Sequence, residues 1–580
     1  MQGMFLFWNG QCIMNGRSSI CCEKDFRLTE YGKMKNRKRI YVIFSVILLS
    51  SFSLFFSHFF YHDDSYITLR YSQRLADGKG LTWNDGERVE GFTSFLWLIQ
   101  NALLKYIGID LVSGSRYLGL AYYLAILAVL ILSEVPSLWL IPLMTLPSLN
   151  MYAMSGMETV SFCFWILAGT ILLTKEIERK KDTIQANDPA NISTNGKIFA
   201  ISGILFAAGG LTRPEGVLAG ILVLMYLFLA KMIPGAIRFA IGFVPPVLGY
   251  QLFRMLYFHD ILPNTYYAKS AHVSKMILLK SLLSFGAKWS FEWIPIAILI
   301  FIILRRESIR KFIVPLLVAL PAVMAYFAGG GDHFKGIRII LPAIIVVAYA
   351  AGQSLKGRLI SPGKSVFTVA VLVSLYQLFL STVLWQMPVF PMTFGLKPRE
   401  QAACHGEIVG RFLEKNLPPG TLVAVNSVGA LPYFASSLSF IDMLGLNDRI
   451  IAQREIHKLT TVYQRYPGHF KGNGAYVLSR RPDIIIIGTN ANGILKDDNG
   501  RLFLSDYEIL KDDRFQRLYS PYQLELPITN QQRETWEWYE IRRELKDGHY
   551  FVIFWLRKDS GKVDKLRNIG VKISSEEASD

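Results

Sequence analysis

The sequence of 580 residues predicts a multi-span α-helical membrane protein with a soluble α/β domain at its C-terminal end. Three observations lead to this fold class. Hydrophobic residues make up 51% of the chain and aromatic residues 13%, which is unusual for a string of soluble domains. Apolar segments alternate with short basic clusters, as membrane spans do with cytoplasmic loops. After Met387 the apolar segments stop and strand-like runs begin.

The first apolar run, residues 40–61, follows a basic segment that extends from Met34 to Arg39. The run is long enough to cross a bilayer and lacks a small-residue cleavage site, so it predicts a retained first helix rather than a signal peptide. Residues 1–39 are then a cytoplasmic basic tail, with Met34 a candidate start of translation.

Further apolar segments give about eleven predicted spans, all within a domain of residues 40–386. The stretch 136–156 contains three prolines and is predicted to be re-entrant or interfacial, because only then do all basic clusters fall on the cytoplasmic side. The predicted spans are 40–61, 93–108, 117–134, 157–174, 198–212, 214–231, 236–256, 293–304, 312–329, 339–354 and 365–386.

The formal charge of +17 follows the same pattern. The basic residues lie largely in short clusters between apolar segments, which indicates membrane topology and excludes nucleic acid as the expected partner. With this topology the remaining polar motifs share the outer face of the membrane.

Residues 387–580 predict a soluble α/β domain on that outer face. Residues 401–417 have helical apolar spacing, and strand-like runs occur at 422–425, 438–441, 484–487 and 551–555. The region has no glycine-rich phosphate-binding fingerprint, so we expect no nucleotide cofactor.

The adjacent carboxylates Asp63 and Asp64 follow the first span directly. A positioned carboxylate can accept the proton of a sugar hydroxyl while the bond to an anomeric carbon forms. The alternative is an ordinary helix N-terminus, where the helix dipole favours acidic side chains. A divalent cation that bridges one of the two aspartates and a donor phosphate is a further possibility.

Four cations bound apolar segments or follow the acidic pair, and they are candidates for binding a lipid phosphate. The alternatives are snorkelling to lipid headgroups and pairing with Glu215 or Asp332. The four candidates are Arg70, Arg213, Lys269 and Arg338.

Six further residues are candidates for a polar substrate cavity on the same face. The alternatives are interfacial anchoring for the two tyrosines and turn formation for the last aspartate. The six are Glu158, Tyr266, Tyr267, Asp332, His333 and Asp442.

An ordered series of motifs resembles the terminal β-arabinofuranosyltransferases of mycobacterial cell walls and their bacterial relatives, integral membrane glycosyltransferases of the GT-C class. Single motifs are weak, but their order along the chain is fairly specific. The motifs lie at 63–71, 80–94, 156–159, 211–216, 262–269, 330–332 and 442–448.

The resemblance implies a GT-C-like fold in the bacterial cytoplasmic membrane, with the C-terminal domain in the periplasm. It implies a polyprenyl-phosphate-linked sugar as donor and a glycan or lipid as acceptor. Asp63 becomes the leading base candidate and Asp64 its partner. The Ile- and Lys-rich composition and the His-Phe-Lys that follows Asp332 depart from the mycobacterial pattern, so the sugar, arabinofuranose or another, stays open.

Two other functions are alternatives to glycosyl transfer. A transporter or flippase for a lipid-linked glycan predicts polar sites on both faces and structural repeats, and the sequence shows neither. A glycan-binding assembly protein on an inactive membrane base predicts loss of the acidic pair, which is present.

Overall fold

A computed structural model describes residues 40–185 (except 42, 56 and 59), 196–270, 275–304 (except 289), 309–354 (except 333), 364–386, 400–496 (except 467) and 502–573. The predicted cytoplasmic tail, residues 1–39, lies outside the described residues.

The part of the chain before residue 387 is a bundle of helices. Each of the eleven predicted spans overlaps one of them. The helices are α1 Ile43–Phe55, α2 Asp63–Ala76, α3 Phe95–Tyr106, α4 Leu111–Leu132, α5 Ser137–Met144, α6 Pro147–Met154, α7 Thr159–Gln185, α8 Gly196–Thr212, α9 Pro214–Leu229, α10 Ile233–Tyr257, α11 Asn264–Lys269, α12 Lys275–Lys288, α13 Ser290–Leu304, α14 Ile313–Ala328, α15 Leu341–Ser354 and α16 Lys364–Gln386.

Three of the described helices, α4, α7 and α10, are long and apolar enough to cross a membrane. The bent pair α12 and α13 would make a fourth span if it acts as one. Shorter apolar helices accompany them in the bundle. The prediction of several membrane spans is therefore confirmed, while their number stays a prediction.

The predicted span 93–108 does not cross the bundle. The hydroxyl of Tyr61, next to His62, lies 2.8 Å from Ser115 Oγ at the start of α4. Trp97, in the first turn of α3, donates to the carbonyl of Gly156 over 3.1 Å, and the carbonyl of the neighbouring Ser155 accepts from the backbone N–H of His62. The start of α3 and the start of α4 therefore both lie beside His62, at the end of the bundle that we call the His62 end. Helix α3 has 12 residues and a length of about 18 Å, whereas a bilayer core is about 30 Å thick. Its apolar composition reflects packing against the bundle.

The stretch 136–156 does cross the bundle, contrary to the prediction. Gln353, at the end of α15, donates to the carbonyl of Ser133 over 2.7 Å at the far end, whereas Ser65 donates to the carbonyl of Ser155 over 2.7 Å at the His62 end. Helices α5 and α6 make this crossing as two short pieces of 8 residues each. One predicted crossing, at 93–108, is lost and one unpredicted crossing, at 136–156, is gained. The number of crossings between the polar motifs therefore keeps its parity, and the motifs still lie at one end of the bundle.

The break before α6 is stabilised by a buried carboxylate. Glu292 accepts hydrogen bonds from the backbone N–H of Ser148 at 2.6 Å and from its hydroxyl at 2.7 Å. Helix N-terminal amides have no partner within their own helix, and in an apolar bundle such amides need a partner from elsewhere. A broken crossing is therefore compatible with a buried position.

Residues 400–573 contain a six-stranded mixed sheet in the order β2-β1-β3-β5-β4-β6. Strand β1 is parallel to β2 and to β3, and the other described pairs are antiparallel. The strands are β1 Leu422–Val425, β2 Ser439–Asp442, β3 Ile484–Ile485, β4 Tyr519–Leu526, β5 Tyr550–Arg557 and β6 Val571–Lys572. Sequence reasoning found four of the six strands and missed β4 and β6. The boundaries 387–580 and the side of the membrane stay predictions.

Short helices surround this sheet. The first, α17, is the helix predicted at 401–417. The helices are α17 Gln401–Asn416, α18 Ala430–Phe434, α19 Arg449–Gln453, α20 Gly474–Ser479, α21 Leu504–Leu510, α22 Asp513–Leu518, α23 Asn530–Glu534, α24 Tyr539–Glu544 and α25 Asp564–Ile569.

The C-terminal domain and the first polar loop share one hydrophobic core. Tyr71 of α2 and Trp83 of the following loop are buried in the same cluster as Val409 of α17 and Val425 of β1. Burial of such large side chains stabilises the contact. The domain is therefore packed onto the His62 end, beside the acidic pair.

Candidate functional site

The acidic pair forms the first turn of α2. His62 is the N-cap residue, and its Nδ1 accepts a hydrogen bond from the backbone N–H of Asp64 at 3.2 Å. Acidic side chains are favoured here by the helix dipole, as the structural alternative expected. Asp63 is buried and Asp64 is half-buried, so the second carboxylate is the more accessible.

The C-terminal domain holds Asp63 from two sides. Its Oδ1 accepts from the backbone N–H of Ala430 at 2.9 Å, and its Oδ2 lies 3.5 Å from the hydroxyl of Ser427. The backbone N–H of Asp63 donates to Glu400 Oε2 at 2.9 Å. The position of this carboxylate therefore depends on residues far away in the sequence.

Burial changes the protonation of the groups around Asp63. It raises the pKa of Asp63 to about 7, and the negative charges of Glu400 and Asp64 act in the same direction, against the hydrogen bond from Ala430. Burial also lowers the pKa of His62 to about 4, so this imidazole is neutral at physiological pH. A carboxylate with a pKa near neutrality is suited to proton transfer.

A cavity of about 330 Å³ opens beside the acidic pair. Asp63, Asp64 and Lys269, all predicted site residues, line it together. Lys288 and Lys335 also line it, so three lysines face two aspartates across one space. The C-terminal domain forms the opposite wall.

The predicted arginines lie in a separate ionic group. Arg213 pairs with Glu158 at 2.7 Å and with Glu215 at 3.0 Å, while Arg338 pairs with Asp332 at 3.1 Å. The structure thus brings four predicted residues together, Arg213, Glu158, Arg338 and Asp332. The pairs of Arg213 with Glu215 and of Arg338 with Asp332 are those that the alternative interpretation expected, and the pair with Glu158 was not foreseen. Their charges act on Lys269, whose pKa is lowered mainly by burial. Their part in binding a phosphate stays a prediction.

Arg70 has a structural position that corrects the prediction of a phosphate contact. Its guanidinium donates to the carbonyl of Trp83 at 2.9 Å, to that of Pro432, and to that of Leu438 at 3.2 Å. It also stacks near the rings of Trp83 and Phe440. Carbonyl groups of the first loop and of the C-terminal domain therefore occupy the donors of this buried arginine.

The remaining predicted cavity residues lie elsewhere. Tyr266 is 55% exposed, and the hydroxyl of Tyr267 donates to Asp260 at 2.9 Å; neither is among the described residues that line the cavity. Asp442 accepts from the backbone N–H groups of Leu444, Gly445 and Asn447. It is a turn former, as the alternative expected, and Leu444 of that turn lines the cavity. His333 lies outside the described residues.

Sequence reasoning missed the part of the cavity that the C-terminal domain supplies. Those residues belong to no recognisable motif, and only the docking of the domain brings them near Asp63. They include Glu400, Asn426, Ser427, His469, Thr489 and Phe503.

The described residues do not fit a metal site made of protein ligands alone. They contain no group of three or more His, Cys, Asp and Glu side chains placed to hold an ion, and one oxygen of Asp63 already accepts from Ala430. Divalent cations usually take several oxygen ligands. We therefore derive no step that uses a metal.

Residues 397–540 match a family model described as a domain of unknown function (DUF8728). Two curated proteins are related to the chain. The terminal β-(1→2)-arabinofuranosyltransferase of Mycobacterium tuberculosis is 26% identical over 339 residues, which are 49% of this chain and 51% of the relative. Its counterpart from Corynebacterium glutamicum is 28% identical over 235 residues, which are 36% and 33% of the two chains. The predicted resemblance to terminal arabinofuranosyltransferases is confirmed. The matches span about half and one third of these relatives.

Two solved structures are also similar to the chain. They are ArnT from Cupriavidus metallidurans bound to undecaprenyl phosphate and the same protein in the apo state. Each has 12% sequence identity and a TM-score of 0.44, and the matches cover 72% and 71% of this chain and 88% of ArnT.

Proposed function

We propose that the protein is a glycosyltransferase that moves a sugar from a polyprenyl-phosphate donor to a glycan or lipid acceptor of the cell envelope. The observation that supports this most directly is the cavity in which Asp63 and Asp64 face three lysines. The relatives named as arabinofuranosyltransferases support the same class of reaction. The reaction takes place at the outer face of the bacterial cytoplasmic membrane, where the C-terminal domain is placed by the predicted topology.

The chemistry needs a base and a site for the leaving phosphate. The carboxylate of Asp63 accepts the proton of the acceptor hydroxyl while that oxygen bonds to the anomeric carbon of the donor sugar. The bond between this carbon and the phosphate oxygen breaks, and negative charge grows on the phosphate. Nearby cations stabilise that charge. Asp64, the more accessible carboxylate, lies beside the reacting groups as the partner of Asp63.

The lysines suit this leaving group better than the arginines do. Arg213 and Arg338 each pair closely with a carboxylate, whereas Lys269 lines the cavity itself. Lys288 and Lys335 add charge at the same place. A donor phosphate between them would sit within reach of Asp63.

The test is sugar transfer by the purified full chain with a panel of polyprenyl-phosphate sugars and acceptors. Asp63→Asn removes the base, so transfer should fall by a factor of about 10² to 10⁴. Asp64→Asn shows whether its partner is also needed. Asp85→Asn, at an exposed aspartate of the segment that follows α2, is the control. Full transfer by both variants, with unchanged melting, would refute the proposed roles.

The phosphate site has its own test. Lys269→Ala should weaken binding of the donor and of bare polyprenyl phosphate, because each carries a negatively charged phosphate and the bare monoester carries the larger charge. Lys415→Ala, an exposed lysine at the end of α17, is the control. If Lys269→Ala binds each of the two lipids as tightly as the parent does, Lys269 is not part of the phosphate site.

A further inference from the structure

The cavity beside Asp63 has two chemically different walls. The helix bundle supplies the aspartates and lysines described above, and Glu400 stands at the start of the C-terminal domain. The wall formed by residues 426–503 of the C-terminal domain contributes no Asp, Glu, Lys or Arg among the described lining residues. Burial lowers the pKa of His469, which is part of this wall, to about 4. The wall is therefore uncharged at physiological pH.

Asn426 holds a fixed hydrogen-bond acceptor at this wall. Its Nδ2 donates to both carboxylate oxygens of Asp506, at 2.9 and 3.0 Å, and to the carbonyl of Gly488 at 3.0 Å. A flipped amide would place its oxygen against these three acceptors, so the orientation is determined by its surroundings. Its Oδ1 is buried and has no hydrogen-bond partner among the described residues.

A buried acceptor without a partner destabilises the folded chain, because it has lost its hydrogen bonds to water. Asn426 is only 3% exposed, and it lines the cavity. A hydroxyl group bound in the cavity would satisfy this oxygen. An anion would not, because it has no proton to donate.

Aromatic and polar side chains stand beside this acceptor. The ring of Phe503 lies 4.9 Å from that of Tyr463 and 5.4 Å from that of His469, measured between ring centres. Phe503, His469 and Thr489 all line the cavity. A neutral imidazole and a threonine hydroxyl can each donate and accept hydrogen bonds. An apolar ring face with a few fixed polar groups is the usual composition of a small-molecule site.

We propose that Asn426, Thr489, His469 and Phe503 form a subsite for an uncharged sugar ring. This inference rests on the proposed glycosyl transfer, since it names what the wall opposite the lysines recognises. Sugar hydroxyls donate to Asn426 Oδ1 and exchange hydrogen bonds with Thr489, and the apolar face of the ring packs on Phe503. The ring belongs either to the donor or to the acceptor, which share this chemistry.

The experiment measures binding to the full chain in lipid nanodiscs in three arms. The ligands are bare polyprenyl phosphate, a polyprenyl-phosphate sugar, and a neutral envelope oligosaccharide. Asn426→Ala should bind one of the two sugars at least about tenfold more weakly and bare polyprenyl phosphate as the parent does. Loss in the second arm assigns the subsite to the donor, and loss in the third assigns it to the acceptor. Asn416→Ala, at a half-buried asparagine at the end of α17 and outside the cavity, is the control.

A second variant separates recognition from folding. Asn426→Ala also removes a donor from buried Asp506, whereas Thr489→Val leaves the contacts of that carboxylate in place. Phe503→Tyr keeps the aromatic face and should keep binding, and Phe503→Ala should lose it. Parent affinity for both sugars in Asn426→Ala and in Thr489→Val would overturn the subsite.

The experiments give different results if the sugar subsite is wrong and if the proposed transferase activity is wrong. A parent chain that binds the neutral sugar through Asn426 but transfers none from any donor tested would retain the subsite and refute the transferase. A parent chain that transfers sugar, with variants that bind and transfer equally well, would retain the transferase and refute the subsite.

Discussion

The carboxylate of Asp63 accepts a hydrogen bond from the backbone N–H of Ala430, which lies 2.9 Å away and 367 residues later in the chain. The first turn of α2 and the first turn of α18 are thereby joined. The helix bundle and the C-terminal domain both contribute residues to the candidate site.

Activity should depend on the ionisation of Asp63, whose pKa burial raises to about 7. A base acts only when ionised, so kcat/KM should rise about tenfold per pH unit below about pH 7 and level off above it. A profile that is flat between about pH 5 and about pH 8 would contradict the assignment of Asp63 as base.

The raised pKa of Asp63 should make the folded protein less stable as the pH rises, whereas it should make the enzyme more active. The pKa of Asp63 in the folded chain lies above the ordinary value of 3.8, so the folded state binds more protons than the unfolded state between these values. The contribution of this group is therefore present at low pH and is lost as the pH rises through about 7. The melting temperature of Asp63→Asn relative to the parent should increase from about pH 5 to about pH 8. A constant difference would indicate an ordinary pKa.

Gly429→Ala should reduce transfer without unfolding the protein. A Cβ at this position would meet the backbone carbonyl and the carboxylate of Asp63, so α2 or the turn must shift. We expect at least about a tenfold loss of activity, with a modest loss of stability of about 1–3 kcal/mol. Gly561→Ala, where the nearest neighbour is at 3.7 Å, is the control in the same domain. Full activity in Gly429→Ala would show that this turn does not position Asp63.

Arg70→Ala should weaken the fold and leave donor binding unchanged. Three carbonyls would lose a charged donor, and each unsatisfied buried group costs about 1–3 kcal/mol. We expect a fall of several degrees in the apparent melting temperature, in contrast to Arg517→Ala on the surface. A loss of donor affinity at parent-like stability would restore the role in phosphate binding.

Helix α3 should leave both of its ends on one side of the membrane. In a cysteine-depleted chain, Asp85→Cys and Ile107→Cys should react with an impermeant reagent from the same side, and Glu134→Cys from the other. All three positions are exposed. Labelling of positions 85 and 107 from opposite sides would restore residues 93–108 as a span.

Sequence patterns located most helices and four strands, because apolar periodicity and run length report local structure. They misassigned 93–108 and 136–156, because composition does not distinguish a buried helix that lies along the bundle from one that crosses it. The contacts of Tyr61 with Ser115 and of Trp97 with Gly156 decide the first case, and they exist only in the folded chain.

The candidate site was predictable on one side only. Asp63 and Asp64 are adjacent and follow an apolar run, so their position was visible in the sequence. Arg70 looked like a ligand because a cation one or two helical turns from an aspartate is a common arrangement. Asn426 and Thr489 could not be predicted as site residues, because they are neutral and belong to no motif. Their part in the site depends on their position across the cavity from Asp63 and Asp64.

Because Asp63 is hydrogen-bonded to Ala430, the candidate site can be completed only late in synthesis of the chain. The ribosome produces α2 and most of the helix bundle well before residue 430 exists, so the newly inserted bundle holds an aspartate without its partner. The cavity closes only when β1 and the turn that follows it have folded against α2. A nascent or truncated chain that ends before this turn would therefore reside in the membrane with half a site.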